Sequence, residues 1–266
     1  MSSPTPQHLD SWASGAAYEP YVGRWSRLVA REVIGWLAVP TNRRWLDGGC
    51  GTGAVTETIL STASPATVTG VDSSGAYLGY ARTLIQDPRA AFEHGDLQDL
   101  PFVDAAFDAA LSGLVLNFVP DQPRAVRELA RVVRPGGIVA VYLWDYAGEM
   151  QFMRYFWDAA AVLDPAAPDE GSRFPICRPE PLKTLFAEAG LQDVEVRAVD
   201  IPTVFHDFDD FWTPFLGGQG AAPRYAMALP EAARTALREH LRTALPTAAD
   251  GSIPLLARAW AARGTV

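Results

Sequence analysis

The order of apolar and polar residues predicts alternating strands and helices over the first 144 residues. Apolar side chains recur at helical spacing from Arg24 to Leu37, and Pro40 then ends this helix. The predicted strands that follow are 43–47, 66–71, 91–94, 107–112 and 138–144, and the predicted helices between them are 54–60, 74–85 and 123–133. Strands that alternate with helices in this way form a parallel sheet covered by helices on both faces, with right-handed crossovers.

The pattern becomes less regular after Trp144. It predicts helices at 150–163, 179–189 and 231–245 and strands at 194–199 and 253–261. The segment 205–221 is dense in aromatic residues, prolines and glycines, and we interpret it as an insertion. Because no internal repeat and no linker interrupts the chain, we expect a single domain over 1–266, with a helical N-terminal segment at 1–40.

Composition narrows the possible function classes. The net charge of −9 argues against binding to nucleic-acid phosphates, which requires a basic surface, but it permits small or cationic substrates. Cys50 and Cys177 are far apart, so we expect no disulfide framework and a reducing, cytoplasmic setting. No apolar run approaches the roughly 20 residues that span a bilayer, and the N-terminus does not resemble a secretory signal. Lys183 is the only lysine, which suggests a GC-rich bacterial genome.

A glycine-rich turn follows the first predicted strand and opens the next helix. Its residues, 49–54, read Gly-Cys-Gly-Thr-Gly-Ala. Glycines let the backbone approach a ligand closely, and a helix N-terminus offers free N–H groups. Asp72 ends the second predicted strand, at the spacing where a carboxylate accepts hydrogen bonds from ribose hydroxyls. The turn and Asp72 together predict a site for a nucleoside-containing cofactor.

Two interpretations of this turn compete. Read as G-x-G-x-x-A, it matches a dinucleotide site and predicts an NAD(P)-dependent oxidoreductase. Read as D-x-G-x-G-x-G from Asp47, it matches a site for S-adenosylmethionine (SAM). The second interpretation is favoured because the Asp47 carboxylate suits an ammonium group and repels a pyrophosphate. A helix before the first strand and a further acid, Asp96, after a later strand also favour it. A SAM-binding enzyme with a reaction other than methyl transfer remains an alternative.

Five sequence motifs, in this order, resemble those of the class I SAM-dependent methyltransferases, and within them the ubiquinone/menaquinone-biosynthesis-type group. The motifs are Leu46–Gly53, Gly70–Ser74, Gly95–Leu97 with Leu100–Phe102, Phe107–Ser112 and Glu128–Gly137. The resemblance implies an α/β fold with a Rossmann-like, seven-stranded, mostly parallel sheet whose last strand is antiparallel. It also implies SAM as methyl donor, S-adenosylhomocysteine as product and a small-molecule acceptor.

The resemblance assigns cofactor contacts to individual positions. It places the turn Gly49–Gly53 on the methionine part of SAM, with Asp47 near the amino group and Arg24 near the carboxylate. Asp72 binds the ribose in this interpretation, and Asp96 binds the adenine. The full set of expected cofactor residues is Tyr21, Arg24, Asp47, Gly49, Gly51, Thr52, Gly53, Asp72, Ser73, Asp96, Leu97 and Ser112.

The acceptor site is expected to be apolar and aromatic. In this fold the segments after the fifth and sixth strands cover the substrate, which here are 146–180 and 202–250, although each aromatic residue alone is more typical of a core. The expected pocket residues are Tyr18, Trp25, Asn117, Trp144, Tyr146, Trp157, Phe205 and Trp212. They favour an aromatic or lipophilic acceptor.

General-base chemistry has three candidates by position, Asp145, Tyr146 and His206, of which His206 has the most suitable ordinary pKa, about 6.5. Metal chemistry is not expected. The spacings His94–Asp96 and His206–Asp210 lack a third ligand, and acidic capping of a helix accounts for the second. The sequence predicts neither the acceptor's identity nor the oligomeric state.

Overall fold

A computed structural model describes residues 23–217 and 220–266. These residues form two compact units. The sheet unit comprises 25–144, 175–199 and 259–266, and the helical unit comprises 23–24, 145–174, 200–217 and 220–258. The single domain expected from the sequence stays a prediction. No helix in the described part of the chain is long and apolar enough to cross a membrane.

Strands alternate with helices along the described residues. The strands are β1 Arg44–Gly48, β2 Thr67–Asp72, β3 Ala90–His94, β4 Phe107–Gly113, β5 Val133–Trp144, β6 Gln192–Phe205 and β7 Ile253–Thr265. The helices are α1 Arg24–Leu37, α2 Ala54–Thr62, α3 Gly75–Leu84, α4 Gln122–Val132, α5 Gln151–Leu163, α6 Glu170–Arg173, α7 Pro179–Glu188, α8 Phe208–Trp212, α9 Ala221–Ala228 and α10 Glu231–Ala244. Short 3-10 helices occupy Leu116–Phe118 and Thr213–Leu216.

The seven strands form one sheet in the order β3-β2-β1-β4-β5-β7-β6. The pairs β1–β2, β1–β4, β2–β3 and β4–β5 are parallel, whereas β7 runs antiparallel to β5, with Ile138 opposite Thr265. The predicted fold class is therefore confirmed, including the antiparallel last strand. Central strands of such a sheet are buried on both faces, which explains why β1 and β4 are buried along most of their length.

Three strands are longer than the sequence predicted, and each extension has a physical reason. β5 begins at Val133 and includes 134–137, which the prediction treated as a turn. Gly136 N–H donates to Val266 O (2.8 Å) and Val266 N–H donates to Gly137 O (3.0 Å), so pairing with the chain end overrides the local turn signal. β7 extends to Thr265 through the same pairing. β6 continues to Phe205, past Val199 where the prediction ended it, and alternate residues from Val199 to Phe205 are buried.

Aromatic side chains form the core of the helical unit. Phe156 of α5 stacks on Phe215, with ring centroids 4.4 Å apart and an interplanar angle of 15°. Phe152 contacts Phe205, Phe211 and Phe215 at centroid distances of 5.2, 5.3 and 4.8 Å. All five rings are at most 1% exposed. The aromatic segment therefore packs against itself and supplies the apolar burial that stabilises this unit.

We expect Phe215→Ala to lower the free energy of unfolding by about 3–5 kcal/mol, because it leaves a cavity among four packed rings. Phe208→Ala is the matched control, since this ring is only partly buried and lies against the Arg242 guanidinium at 4.0 Å. Its expected effect is about 1–2 kcal/mol. Chemical denaturation of the purified variants measures both values, and equal losses would contradict the aromatic-core assignment.

Candidate functional site

The carboxyl ends of four neighbouring strands meet at one edge of the sheet. β3, β2, β1 and β4 are adjacent and parallel, so the segments that follow them lie side by side. These segments carry Asp96, Asp72, the turn Gly49–Gly53 and the end of β4 with Ser112. The structure thus brings together, within the sheet unit, the residues that the sequence assigned to cofactor binding there. Ligands of open α/β sheets bind at this edge.

The glycine turn depends on left-handed backbone conformations that only glycine adopts without strain. Gly49, Gly51 and Gly53 have φ angles of +75°, +52° and +92°. A Cβ at Gly49 would lie 2.6 Å from a methyl carbon of Val115, and a Cβ at Gly53 would lie 2.6 Å from Ile85 Cδ1. At Gly51, by contrast, no heavy atom comes within 4 Å. The turn is therefore open to a ligand at Gly51, whereas packing closes it at Gly49 and Gly53.

Asp72 connects the glycine turn to the start of α3. Its Oδ2 accepts a hydrogen bond from Gly51 N–H (2.9 Å), and its Oδ1 accepts one from Ser74 N–H (2.7 Å). Ser74 in turn caps α3 by accepting from Tyr77 N–H (3.3 Å). Since a carboxylate offers about four acceptor sites, Asp72 keeps capacity for ligand hydroxyls while it shapes the turn.

Asp47 is a fully buried acid at the end of β1. Thr56 of α2 donates its hydroxyl to Asp47 Oδ2 (2.6 Å), whereas Oδ1 has no hydrogen-bond partner among the described residues. Burial raises the pKa of Asp47 to about 7, the hydrogen bonds from Thr56 oppose the rise, and the charge of Asp72 adds to it. A ligand cation beside Oδ1 would satisfy this group, and a ligand anion would be repelled.

Thr56 is a site residue that the sequence analysis missed. It lies within α2 on a buried face, and its hydroxyl is committed to Asp47. A hydroxyl residue within the predicted helix was the available signal, but helix-interior threonines more often bond to the backbone of their own helix, as Thr58 does to Ala54 O.

The segment after β4 carries two buried polar groups. Ser112 Oγ and Asn117 Nδ2 have no hydrogen-bond partner within 23–217 and 220–266. Leu114, between them, has a φ of +62°, which is uncommon for a residue with a branched side chain, and its N–H donates to Tyr142 O (2.8 Å). Strained backbone of this kind concentrates at functional sites, and it occurs here at the ligand-binding edge of the sheet.

Comparison with known proteins agrees with this geometry. A family model described as a methyltransferase domain matches residues 46–141. Demethylmenaquinone methyltransferase from Staphylococcus aureus is 30% identical over 189 residues, which cover 65% of this chain and 76% of that protein. The chain belongs to the class I SAM-dependent methyltransferases.

Other members of the class are similar over shorter stretches or in fold alone. Trans-aconitate 2-methyltransferase from Deinococcus radiodurans is 42% identical over 96 residues, so the aligned part spans about a third (36%) of each protein. Phosphoethanolamine N-methyltransferase 2 from Haemonchus contortus, solved in complex with S-adenosyl-L-methionine, superposes with a TM-score of 0.58 at 17% identity. That alignment covers 94% of this chain and 56% of the other and shows a shared fold.

The remaining predicted residues of the sheet unit differ in exposure. Thr52, Leu97, Asn117 and Trp144 are buried, whereas Trp25 is half-buried. The exposed residues are Ser73 and Asp96. The Asp96 carboxylate accepts hydrogen bonds from the backbone and side chain of Gln98, the former at 2.8 Å.

Within the helical unit, Arg24 donates to Asp210 Oδ1 (2.9 Å), and its guanidinium lies 4.7 Å from the Phe205 ring centroid. Trp157 donates its indole N–H to Glu170 (2.9 Å), so this predicted pocket residue has a buried acid as partner. The other predicted pocket residues of this unit, Tyr146, Phe205 and Trp212, are buried. Tyr18 and Tyr21 lie outside the described residues.

The three candidate bases occupy different environments. Asp145 is buried and accepts from Glu149 N–H (3.0 Å). Tyr146 is buried against the Phe174 ring, with centroids 5.5 Å apart. The His206 side chain is 91% exposed and lies 3.1 Å from Asp207, which caps α8 by accepting from Asp210 N–H (2.8 Å). Among the described residues no cluster of three or more His, Cys, Asp or Glu side chains suits a metal ion.

The raised pKa of Asp47 generates a prediction for stability. Its ordinary pKa is about 3.9 and its folded pKa is about 7, so between these values the folded state binds a proton that the unfolded state has lost. The free energy of unfolding should therefore decrease as the pH rises from about 4 to about 7 and then level off. Asp47→Asn should lack this contribution.

The measurement is chemical denaturation of both proteins across pH 4.5 to 8, with the difference between them plotted against pH. The variant should gain stability relative to the parent as the pH rises. Parallel profiles would show that Asp47 titrates normally in the folded state.

Proposed function

We propose that this protein transfers the methyl group of SAM to a small-molecule acceptor. The observation that carries the proposal is Asp47, a buried carboxyl with one unpartnered oxygen at the base of the glycine turn. SAM carries an ammonium group that suits this oxygen, whereas the pyrophosphate of a dinucleotide would meet a like charge. Gly51 supports the proposal, because its open side lets the ligand approach the backbone.

Each part of the cofactor has a matching group in the sheet unit. The turn Gly49–Gly53 and Asp47 suit the methionine part, and Asp72 suits the ribose diol through its remaining acceptor capacity. Asp96 suits the adenine amine and Leu97 suits the ring face. Ser112 offers a buried hydroxyl beside this site. We also propose Arg24, Ser73 and Tyr21 as cofactor contacts, on the basis of the resemblance to the family alone.

When bound, SAM would supply an electrophilic methyl group: the acceptor atom attacks the methyl carbon in line with its bond to sulfur, that bond breaks, and S-adenosylhomocysteine leaves with the electron pair. The residues of this chain would hold that acceptor behind the methyl group and exclude water, and alignment of this kind lowers a barrier by about 7–11 kcal/mol. Asp145, Tyr146 and His206 stay proposals for proton removal. The His206 imidazole is exposed, so it could pass a proton to solvent, whereas the buried Asp145 carboxyl would take a proton away from solvent.

For the acceptor we propose an aromatic or lipophilic small molecule. The Staphylococcus aureus relative is named a demethylmenaquinone methyltransferase, which supports this, as does the aromatic composition of 146–180 and 202–250 apart from the five rings of the packed core. We propose these segments as the substrate cover of one functional domain over 1–266. The net charge of −9 supports a small molecule over a nucleic acid, and the presence of only two cysteines, far apart in the sequence, suits the reducing cytoplasm.

Isothermal titration with S-adenosylhomocysteine, NAD and NADP tests the cofactor. S-adenosylhomocysteine alone should bind, and Asp72→Ala should weaken this binding by about 1.5–3 kcal/mol, because a charged hydrogen-bonding group is lost. Asp87→Ala, an exposed acid paired with Arg89, serves as the control and should bind normally. Binding of NAD or NADP in place of S-adenosylhomocysteine would support an oxidoreductase. Ligand binding without any methylated product would support a SAM-dependent reaction of another kind.

The open side of Gly51 can be tested by a matched pair of variants. Gly51→Ala and Gly190→Ala both place a Cβ on a left-handed residue, with φ of +52° and +87°, and neither Cβ meets an atom within 4 Å. Each should reduce stability by about 1–2 kcal/mol. Only Gly51→Ala should weaken S-adenosylhomocysteine binding, by about tenfold or more, because its methyl group occupies ligand space. Equal affinities of the two variants would remove Gly51 from the site.

A further inference from the structure

The loop after β3 is anchored by side chains that no part of the proposed cofactor site uses. This loop, residues 95–104, contains Asp96 and Leu97. Leu97 is buried, and its Cδ2 atom would lie 2.7 Å from a Cβ added at Gly48, so its side chain packs against the end of β1. Asp96 is exposed, and its carboxylate accepts hydrogen bonds from Gln98 within the same loop. The position of the Asp96 carboxylate therefore depends on what holds the loop backbone.

Glu128 of α4 holds the middle of this loop. Its Oε2 accepts a hydrogen bond from Leu100 N–H (2.9 Å), and both of its oxygens accept from Arg131, one turn further along the helix, at 2.8 and 2.7 Å. The Arg131 hydrogen bonds lower the pKa of Glu128, so the carboxylate stays charged and remains an acceptor. The Glu128 side chain is only 18% exposed, which limits competition from water.

Arg131 reaches further along the same loop. Its guanidinium donates to Leu100 O (3.1 Å), Phe102 O (2.8 Å) and Asp104 Oδ1 (2.8 Å) while it also binds Glu128. Five directed donors in a rigid plane make arginine suited to such a role. Two backbone carbonyls and one backbone N–H of the loop are thus fixed by one ion pair on α4, and Ala105 N–H donates to the backbone of Arg131 (3.0 Å).

A second contact joins the loop to the beginning of the same helix. Gln98 Oε1 accepts from Asp121 N–H (3.0 Å), and Asp121 is the residue that caps α4 by accepting from Arg124 N–H (2.9 Å). Gln98 also donates to both oxygens of Asp96 at 3.1 Å. The loop is therefore held at both ends of α4, and the Asp96 carboxylate is oriented through this connection.

We propose that Glu128 and Arg131 are positioning residues that hold Asp96 and Leu97 where they recognise the adenine base, and so set the preference for adenine over other bases. The inference rests on the proposed SAM site. Arg131 acts through the loop and needs no contact with the ligand itself. Its loss should therefore reduce discrimination between bases more than it reduces binding of the parts of the ligand held by the glycine turn and Asp72.

Titration calorimetry with S-adenosylhomocysteine and S-inosylhomocysteine tests this, because the second ligand replaces the adenine amine by a carbonyl. The parent protein should prefer the adenine ligand by about tenfold or more, the value of a hydrogen bond to a charged acceptor. In Arg131→Met this ratio should fall to within about twofold of unity. In Glu128→Gln, which keeps an acceptor for Leu100 N–H, the ratio should fall by a smaller factor.

Arg127→Met is the matched control, because Arg127 is exposed on the same helix and undergoes the same chemical change. It should keep the parent ratio. The ratio of affinities is independent of the fraction of folded protein, so a purely structural effect of Arg131→Met leaves it unchanged. If Arg131→Met does not fold, the Glu128 variants decide the proposal: the affinity ratio should fall in Glu128→Gln and should fall further in Glu128→Ala.

The two proposals fail in different ways. If the parent binds neither ligand, the SAM site itself is wrong. If the parent prefers adenine and the Arg131→Met and Glu128 variants keep that preference, the SAM site stands and the positioning role is refuted. In an Asp96→Ala background, Arg131→Met should produce no further change in the ratio, and an additional loss there would mean that Arg131 acts by another route.

Discussion

Parallel pairing of β1 with β2 on one side and with β4 on the other is the constraint on which the candidate site depends. Parallel strands all point the same way, so their carboxyl ends, and every segment that leaves them, reach a single edge of the sheet. Gly51 and Asp72, which are 21 positions apart in the sequence, become hydrogen-bonded neighbours for this reason. The glycine turn, Asp72, the loop with Asp96 and the end of β4 need no direct contact with one another to form one surface.

At this edge of the sheet, the two acidic residues Asp72 and Asp47 differ in their hydrogen bonds and in their burial. Asp72 is held by two backbone N–H groups and serves as a structural element even before any ligand is present. Asp47 is the opposite case, a buried acid with one satisfied oxygen and a raised pKa, which favours a ligand able to supply a positive charge. Two acids that lie beside the same turn in the fold, Asp47 and Asp72, thus take different roles because their surroundings differ.

The sequence predicted the parallel sheet and the ligand edge, because these follow from local periodicity and from glycines at fixed spacings, whereas the antiparallel last strand was expected only from the resemblance to the methyltransferase family. It did not predict the full length of β5 or β6. The Gly136–Val266 pairing joins residues far apart in the chain, and no local pattern records it. For the same reason Thr56, Glu128 and Arg131 were not assigned roles, since their partners are brought to them only by the fold. The strained φ of Leu114 has no residue-level signal at all.

Different constraints act on the three left-handed glycines of the turn. Gly49 and Gly53 are enclosed by Val115 and Ile85, so any descendant that keeps this packing must keep both glycines whatever it binds. A Cβ at Gly51 would meet nothing within 4 Å, so only the left-handed φ of +52° and an occupant of the turn restrict its identity. In a lineage that lost its cofactor but kept its fold, we expect Gly51 to be substituted before Gly49 and Gly53. The residue found at this one position therefore reports whether a homologue still uses the site, independently of how well the rest of its sheet is preserved.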